Sequence, residues 1–358
     1  MTAGGAEGPA WLLDWPVSGG QRVSSGQLKT APEDFQVNEQ LWPELEAQTL
    51  AGPGIPAVIS GAGEHLCLRL QKTGDNTEYV ARELAQLAEC RGFDVSFCGM
   101  KDRHAVTTQW FSLYRPGREA DDAELMSRIT ERWPVLAGVR SPRKLRRGGH
   151  QGNGFVIRLR GVSGSRAEID ERLSKLAEEG APNYFGPQRF GHQGANLDKA
   201  VGIDPTRMNR KRGRAGRSAS KNVLYFSAAR SWLFNQVLAC RVLNGNWNVL
   251  MPGEPDSDSQ VPTGPLWGDG GTLATGEQEQ LERDVVATSP KLEKLFMATR
   301  MRPERRPLVA RPQRLTWQWL DASTLSLQFT LLPGHYATTV LGDIFELEDM
   351  SLSHNNKL

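Results

Sequence analysis

The string Gly99-Met100-Lys101-Asp102-Arg103-His104-Ala105-Val106-Thr107-Thr108-Gln109 holds the side chain of this sequence best placed for chemistry. Asp102 stands between a lysine and an arginine, shortly after a glycine and just before a β-prone run. Adjacent positive charge lowers a carboxyl pKa, so these neighbours hold Asp102 ionised. An ionised carboxylate in a turn can work as a nucleophile or a base. The same pattern also describes a solvated surface charge, and spacing alone favours that second reading. Two further strings carry chemical side chains. Residues 29–39, Lys-Thr-Ala-Pro-Glu-Asp-Phe-Gln-Val-Asn-Glu, are a proline turn entering a strand with charged flanks. Residues 183–191, Asn-Tyr-Phe-Gly-Pro-Gln-Arg-Phe-Gly, set three aromatics beside Arg189. Aromatics next to arginine suit base stacking and phosphate contact, and they equally suit a packed turn between domains. The glycine-rich run Gly149-His150-Gln151-Gly152-Asn153-Gly154 leads into a strand and not a helix. It therefore lacks the helix N-terminus that a dinucleotide loop needs, and a turn with Asn153 on a ligand is the better reading.

The elements that must position these groups follow from periodicity. Alternation predicts strands over 34–39, with Phe35 and Val37 on one face, and over 65–71, with Leu66, Leu68 and Leu70 inward. Asp75 and Glu78 fit a capping box for a helix carrying Val80, Leu84 and Leu87, closed by Gly92. Val95 and Phe97 make a short strand, 99–106 a loop, and 107–114 a strand with Phe111 and Leu113 on one face. Asp102 thus falls in a loop between two strands, a common home for catalytic residues. Phe155, Ile157 and Leu159 line one face of a further strand. A helix capped by Ser165 and Glu168 follows, ending at Gly180. Further on come a helix over about 227–243, a long loop over 252–276 and a helix opened by Ser289-Pro290. Strands over 314–320 and 324–332 follow, then a last helix over about 335–346. Strands lie at both ends of the chain and the middle is mostly helix and loop. The class is α+β.

At 358 residues the length suits about two domains. No run approaches the ~18 apolar residues of a membrane span. Met1 to Ala10 has no basic stretch leading into an apolar core, so a flexible start is expected in place of a leader. The four cysteines, Cys67, Cys90, Cys98 and Cys240, form no Cys-x-x-Cys pair and suit a reducing cytosol. The six histidines are scattered, and a metal site is not expected. Net charge is only +2, yet the basic residues cluster. One group is Arg143, Lys144, Arg146 and Arg147. A second runs from Arg207 to Lys221, and a third from Arg300 to Arg314. Three clusters in a near-neutral chain favour a face turned to a nucleic acid over a membrane surface.

Taken together, the strings resemble the TruD family of tRNA pseudouridine synthases. Gly99 to Gln109 fits that family's signature. Lys29 with Pro32-Glu33-Asp34-Phe35 looks like its N-terminal motif, and Gly152-Asn153-Gly154-Phe155 like its Gly-Asn-x-Phe segment. Asn183 to Gly191 looks like its Asn-Tyr-Phe-Gly motif, and Leu332-Pro333-Gly334-His335-Tyr336-Ala337-Thr338 like its C-terminal one. The C-terminal motif departs from the family, which usually has Ser-Phe where this chain has His335-Tyr336. The resemblance implies a pseudouridine-synthase-like, mixed, largely antiparallel sheet with flanking helices and an inserted α+β TRUD domain. The expected division is a discontinuous catalytic domain, 1–180 and 311–358, around an inserted domain, 181–310, with about 1–20 and 350–358 flexible.

The resemblance also implies an activity. A uridine of tRNA, typically uridine 13 in the D arm, becomes pseudouridine without cofactor or metal, in the cytoplasm, on an enzyme expected to be a monomer. Asp102 is the implied essential aspartate, acting at C1′ or on the 2′ proton. Lys29 and Lys101 support it. Phe35, Asn153, Phe155, Tyr336 and Arg189 bind the flipped nucleotide. Two other classes stay in view. A carboxylate-dependent nucleoside or glycoside hydrolase needs a second carboxyl, such as Glu33 or Glu39, and releases free base. A non-catalytic RNA-binding module tolerates changes at Asp102.

Overall fold

A computed structural model describes residues 11–43, 59–204, 216–255, 260–297, 299 and 301–354. It divides into two compact units, each assembled from separated stretches of chain. The first is residues 24–165, 312–335 and 346–358; the second is residues 1–23, 166–311 and 336–345.

The first unit is built on strands. In chain order they are β1 (Ser24–Leu28), β2 (Phe35–Gln40), β3 (Ser60–Gly61), β4 (His65–Lys72), β5 (Val95–Phe97), β6 (Val106–Tyr114), β7 (Val135–Ser141), β8 (Gly152–Leu159), β9 (Gln313–Trp319), β10 (Leu325–Leu331) and β11 (Phe345–Asp349). Nine of them form one sheet in the order β9-β10-β8-β2-β6-β4-β7-β3, with β5 added on β6, while β1 pairs separately with β11. The neighbours run antiparallel except for β2 with β6 and β3 with β7. The strand period of two sorts the side chains onto two faces. Leu66, Leu68, Leu70, Phe111 and Leu113 turn to one side, where Val80 and Leu84 of the helix Thr77–Leu87 and Leu125 and Ile129 of the helix Asp122–Thr130 cover them. Cys67, Trp110, Ala137 and Val139 turn to the other, against Leu41 and Leu145.

The parallel pairing of β2 with β6 matters most for the site. Gln36 lies opposite Val106 and Asn38 opposite Thr108, so both strands begin at the same end of the sheet. The turn before β2 carries Lys29, and the loop before β6 carries Asp102. Two strings 73 positions apart therefore arrive at one edge.

The second unit is mainly helical. Its core gathers on the helix Gly216–Leu243, where Phe226, Trp232, Leu233, Phe234 and Leu238 are buried with Phe190, Leu197, Leu295 and Phe296. Trp11 and Trp15 also belong to this packing, where the sequence predicts a flexible start; residues 1–10 lie outside the described residues. The division above places the helix Arg166–Glu179 and residues 336–345 in this unit, whereas the sequence-based boundaries put both with the sheet.

Several local expectations change. The helix after β4 is capped by Asn76, whose side chain accepts the Tyr79 N–H at 2.7 Å, and Asp75 instead accepts the indole N–H of Trp133 at 2.8 Å. The long helix starts at Gly216, eleven residues before its predicted start, and the helix Gly276–Ala287 and strand Thr263–Leu266 occupy ground read as loop or left unassigned. The last predicted helix stops at Leu341 and gives way to β11, because Gly342 ends the turn and residues 345–349 find a ladder on β1. The tail expected to be flexible forms a short helix, Met350–His354. Of the basic clusters, residues 207–221 and Arg300 lie outside those whose side chains are described. Arg305 and Arg306 in the third cluster are committed inside their own unit. Arg305 pairs with Glu282 at 2.7 Å, and Arg306 lies 3.9 Å over the Phe185 ring. Burial pushes the Arg306 guanidinium down to about 10.

Candidate active site

Lys29 closes β1 and turns the chain toward β2. Its φ of 55° lies in the left-handed region that non-glycine residues rarely adopt, a cost usually met at functional positions. The ammonium reaches Asp102 Oδ2 at 2.6 Å and Asp349 Oδ2 at 2.9 Å, and it stands 5.1 Å over the Phe35 ring. Its side chain is only 7% exposed, whereas that of Asp102 is 34% exposed. The carboxylate thus has one oxygen tied to a buried cation and still opens to a ligand.

The other Asp102 oxygen, Oδ1, accepts the backbone N–H of His104 at 2.9 Å. Burial pushes the carboxyl up, but the hydrogen bonds from Lys29 and from the His104 amide, with the Lys29 charge, outweigh it. The group therefore sits below its ordinary value. Lys29 shows the mirror case. Burial pulls its ammonium down, and the hydrogen bonds and charges of Asp102 and Asp349 carry it above 10.5. Each partner stabilises the charged form of the other.

The signature string holds its own loop in shape. Lys101 donates its backbone N–H to Thr77 Oγ1 at 3.0 Å, and that hydroxyl donates to Gln109 Oε1 at 3.0 Å. The Gln109 amide in turn donates to the carbonyl of Gly99. The two ends of the eleven-residue string are therefore tied through a buried glutamine. Gly74 N–H donates to the Arg103 carbonyl at 2.9 Å, and Lys72 Nζ donates to the carbonyls of Asp75 and Asp102 at 2.8 and 3.4 Å. Burial pushes Lys72 down to about 8. Lys101 turns away from Asp102 and pairs with the fully buried Glu39 at 2.6 Å, and Glu39 Oε2 accepts the Trp110 N–H at 3.1 Å. Both oxygens of Glu39 are committed, so it is poorly placed to protonate a leaving group.

On β8, Asn153 lies in register with Glu39 and Phe155 with Val37. Phe35 and Phe155 meet edge to face at 6.2 Å, and Phe155 stacks on Phe329 of β10 at 5.4 Å. The Asn153 Oδ1 is buried without a hydrogen-bond partner, an uncompensated polar atom of the kind a bound group would satisfy. The first unit therefore brings together Lys29, Asp102, Lys101, Phe35, Asn153 and Phe155. Arg189 and Tyr336 belong to the second unit. There Arg189 donates to the hydroxyls of Ser227 and Ser231, and Tyr336, 41% exposed, precedes the helix Ala337–Leu341. In that unit Asn183, Tyr184 and Phe185 also pack internally, with the Phe185 N–H on Asn235 Oδ1 at 2.9 Å and the Tyr184 ring stacked on Trp15.

Asp349 escapes sequence reasoning because it lies just past the helix predicted over about 335–346, in a stretch assigned to no element. Gln109 and Thr77 carry the weak signal of polar side chains on otherwise apolar faces. Among the described residues no group of three or more His, Cys, Asp or Glu is arranged to hold a metal ion, and no helix is long and apolar enough to cross a membrane.

The chain has a mixed, mostly antiparallel sheet with flanking helices. It shares this fold with the crystal structure of a putative tRNA pseudouridine synthase D from Methanosarcina mazei, at a TM-score of 0.58 and 21% identity over 90% of this chain and 94% of that one. The family model of tRNA pseudouridine synthase D (TruD) matches residues 20–202 and 255–344. A relative in Marinobacter nauticus called tRNA pseudouridine synthase D is 68% identical over 98% of this chain and 100% of its own length. One of the same name in Pseudomonas entomophila is 39% identical over 93% and 94%. The chain belongs to the tRNA pseudouridine synthase D family.

Proposed function

We propose that this chain isomerises a uridine of tRNA to pseudouridine, with uridine 13 in the D arm as its target and Asp102 as the catalytic carboxylate. The observation that carries the reading is the Lys29–Asp102 pair at 2.6 Å, in which the cation is buried and the carboxylate is open. Breaking the bond from N1 to C1′ builds positive character on the sugar, and a fixed anion stabilises it. Asp102 either bonds to C1′ or removes the 2′ proton. In the first route the N1–C1′ bond breaks as the Asp102 oxygen bonds to C1′, the uracil turns, and its C5 displaces that oxygen. In the second, the proton taken from C2′ returns there as C5 bonds to C1′. In both, C5 loses a proton and N1 gains one. A low carboxyl pKa keeps Asp102 ionised throughout the neutral range.

The target base must leave its stack, at a cost of about a few kcal/mol. The edges of Phe35 and Phe155 and the unpartnered Asn153 Oδ1 offer it an apolar wall and one polar anchor. Arg143 and Arg146, beside a cavity of about 600 Å³ that Lys144, His65 and Trp42 also line, suit phosphate contact. Of the second carboxyls that a glycoside hydrolase would need, Glu39 is sealed against Lys101 and Trp110. The test is release of tritium from 5-tritiated uridine in an unmodified tRNA pool. Wild type should release it at a single position, and Asp102→Asn should bind tRNA and release none. Full activity of Asp102→Asn would overturn the assignment, and free uracil in place of isomerised RNA would overturn the reaction class.

A further inference from the structure

Lys29 does not form a simple pair with Asp102. Its buried ammonium is shared between two carboxylates, Asp102 at 2.6 Å and Asp349 at 2.9 Å. Asp349 reaches this position because β11 pairs with β1, the strand that Lys29 closes. It is itself held firmly: Oδ1 accepts the backbone N–H of Ser351 at 3.0 Å and the Ser351 hydroxyl at 2.5 Å, leaving Oδ2 for Lys29. Asp349 is 20% exposed on its side chain, so this is a built contact and not a passing surface one.

The charge count gives the arrangement its chemical meaning. A one-to-one pair of Lys29 and Asp102 is neutral. A cation forming on the sugar would then meet a carboxylate whose field is largely cancelled by an ammonium 2.6 Å behind it. Adding Asp349 makes the three-group cluster net negative. It also draws the ammonium partly away from Asp102, which leaves that carboxylate more basic while still ionised.

We propose that Asp349 is a positioning residue for the reaction: it anchors Lys29 from a second side and returns to the cluster the negative charge that a neutral Lys29–Asp102 pair would lack. This rests on the assignment of Asp102 given above. The other groups facing the cluster are His104, whose backbone N–H binds Asp102, and Lys72, on the Asp102 carbonyl. Arg103 faces His104, Asp75 faces Lys72 through its carbonyl, and Lys101 is engaged with Glu39. None of these touches Asp349, so replacing it changes the Lys29 environment directly.

The experiment measures two quantities on the full chain. The first is kcat/KM for tritium release from pH 7 to 10.5. The second is a nitrogen NMR titration of the Lys29 ammonium without RNA. Asp349→Asn removes one of the two anions on Lys29, so the Lys29 midpoint should fall by about one pH unit. Its rate at neutral pH should fall about tenfold, because a carboxylate tied to an unshared cation is the weaker base. Lys72 makes no contact with Asp349, so its titration is followed as a control in each variant. Asp349→Glu should restore both quantities in large part. Ser351→Ala, which loosens Asp349 but keeps its charge, should leave the Lys29 midpoint in place. An Asp349→Asn protein whose Lys29 titrates as in wild type overturns the proposal, as does a rate loss shared equally by Asp349→Asn and Ser351→Ala. If Asp349→Asn fails to fold, a wild-type midpoint and rate in a folded Asp349→Ser protein overturns it in the same way. An active Asp102→Asn enzyme would break the catalytic assignment instead, while the Lys29 titration would still report on Asp349.

Discussion

The Lys29 cluster of the sheet unit and the buried ion pairs of the helical unit use charge in opposite ways. In the helical unit, Arg241 pairs with Glu254 and also donates to the carbonyls of Asn246 and Val249, with side chains 0% and 2% exposed. Arg305 grips both oxygens of the fully buried Glu282, which the Gln278 amide and the Thr272 hydroxyl also bind. In both networks the charged groups are paired with each other inside the unit, with the carboxylates fully or almost fully buried. In the sheet unit, the cluster of Lys29, Asp102 and Asp349 is closed at the lysine and open at Asp102. A sealed pair holds elements together, whereas a pair with one exposed anion keeps a charge poised for an incoming group. Within the sheet unit, Asp122 with Arg115 and Arg140 is again of the sealed kind, so the contrast follows the site and not the unit as a whole.

The comparison breaks most readily at Asp102. Asp102→Asn should lower the rate of tritium release by about 10³-fold or more while tRNA affinity stays near wild type, read by filter binding beside the rate assay. A sealed pair should behave differently. Glu282→Ala leaves Arg305 buried without its anion and should cost about 3–5 kcal/mol of stability in chemical denaturation, with the rate of the folded fraction preserved.

Lys29→Met comes next, with an expected rate loss of about 10²-fold. Its pH dependence has a definite sign. Asp102 is depressed in the folded protein, so its stabilising contribution is present above the unfolded carboxyl value and is lost as pH falls through the lower folded value. Lys29 is raised, so its contribution is complete below 10.5 and is lost as pH climbs through the higher folded value. Without Lys29, burial dominates Asp102, and the acid limb of the rate profile should move upward. An unmoved acid limb in Lys29→Met would show that Lys29 does not set the charge state of Asp102.

The smallest effect concerns Lys72. Its folded value near 8 lies below the unfolded 10.5, so between these limits the unfolded chain binds more protons and stability rises with pH. Lys72→Met should remove that rise. The gap between the variant and wild-type melting temperatures should therefore narrow steadily from pH 8 to pH 10, as followed by circular dichroism.

Much of the site is legible in the sequence because its parts are local. Gly99 to Gln109 shows a charged loop between two β-prone runs, and those runs are β5 and β6. The alternation of Phe155, Ile157 and Leu159 marks the buried face of β8. Asp349 is different. Leu341, Ile344 and Phe345 share a helical spacing with the residues before them, and only the pairing of residues 345–349 with β1, more than 300 positions away in the chain, makes that segment a strand. Arg189 shows the converse. Its aromatic neighbours suggest RNA contact, yet its guanidinium is engaged by Ser227 and Ser231 of a distant helix.

By itself the sequence determined the α+β class, the chemical character of the Asp102 loop and the family to which the motifs point, because periodicity, turn residues and charge order are properties of neighbouring positions. The tertiary structure alone decided that Lys29 is shared by two carboxylates, that Lys101 serves Glu39, and that Gln109 ties the loop shut. The physical reason is the parallel pairing of β2 with β6 and the ladder of β1 with β11. Hydrogen bonds between remote strands, which no local pattern encodes, bring the cation and its two anions to one edge of the sheet.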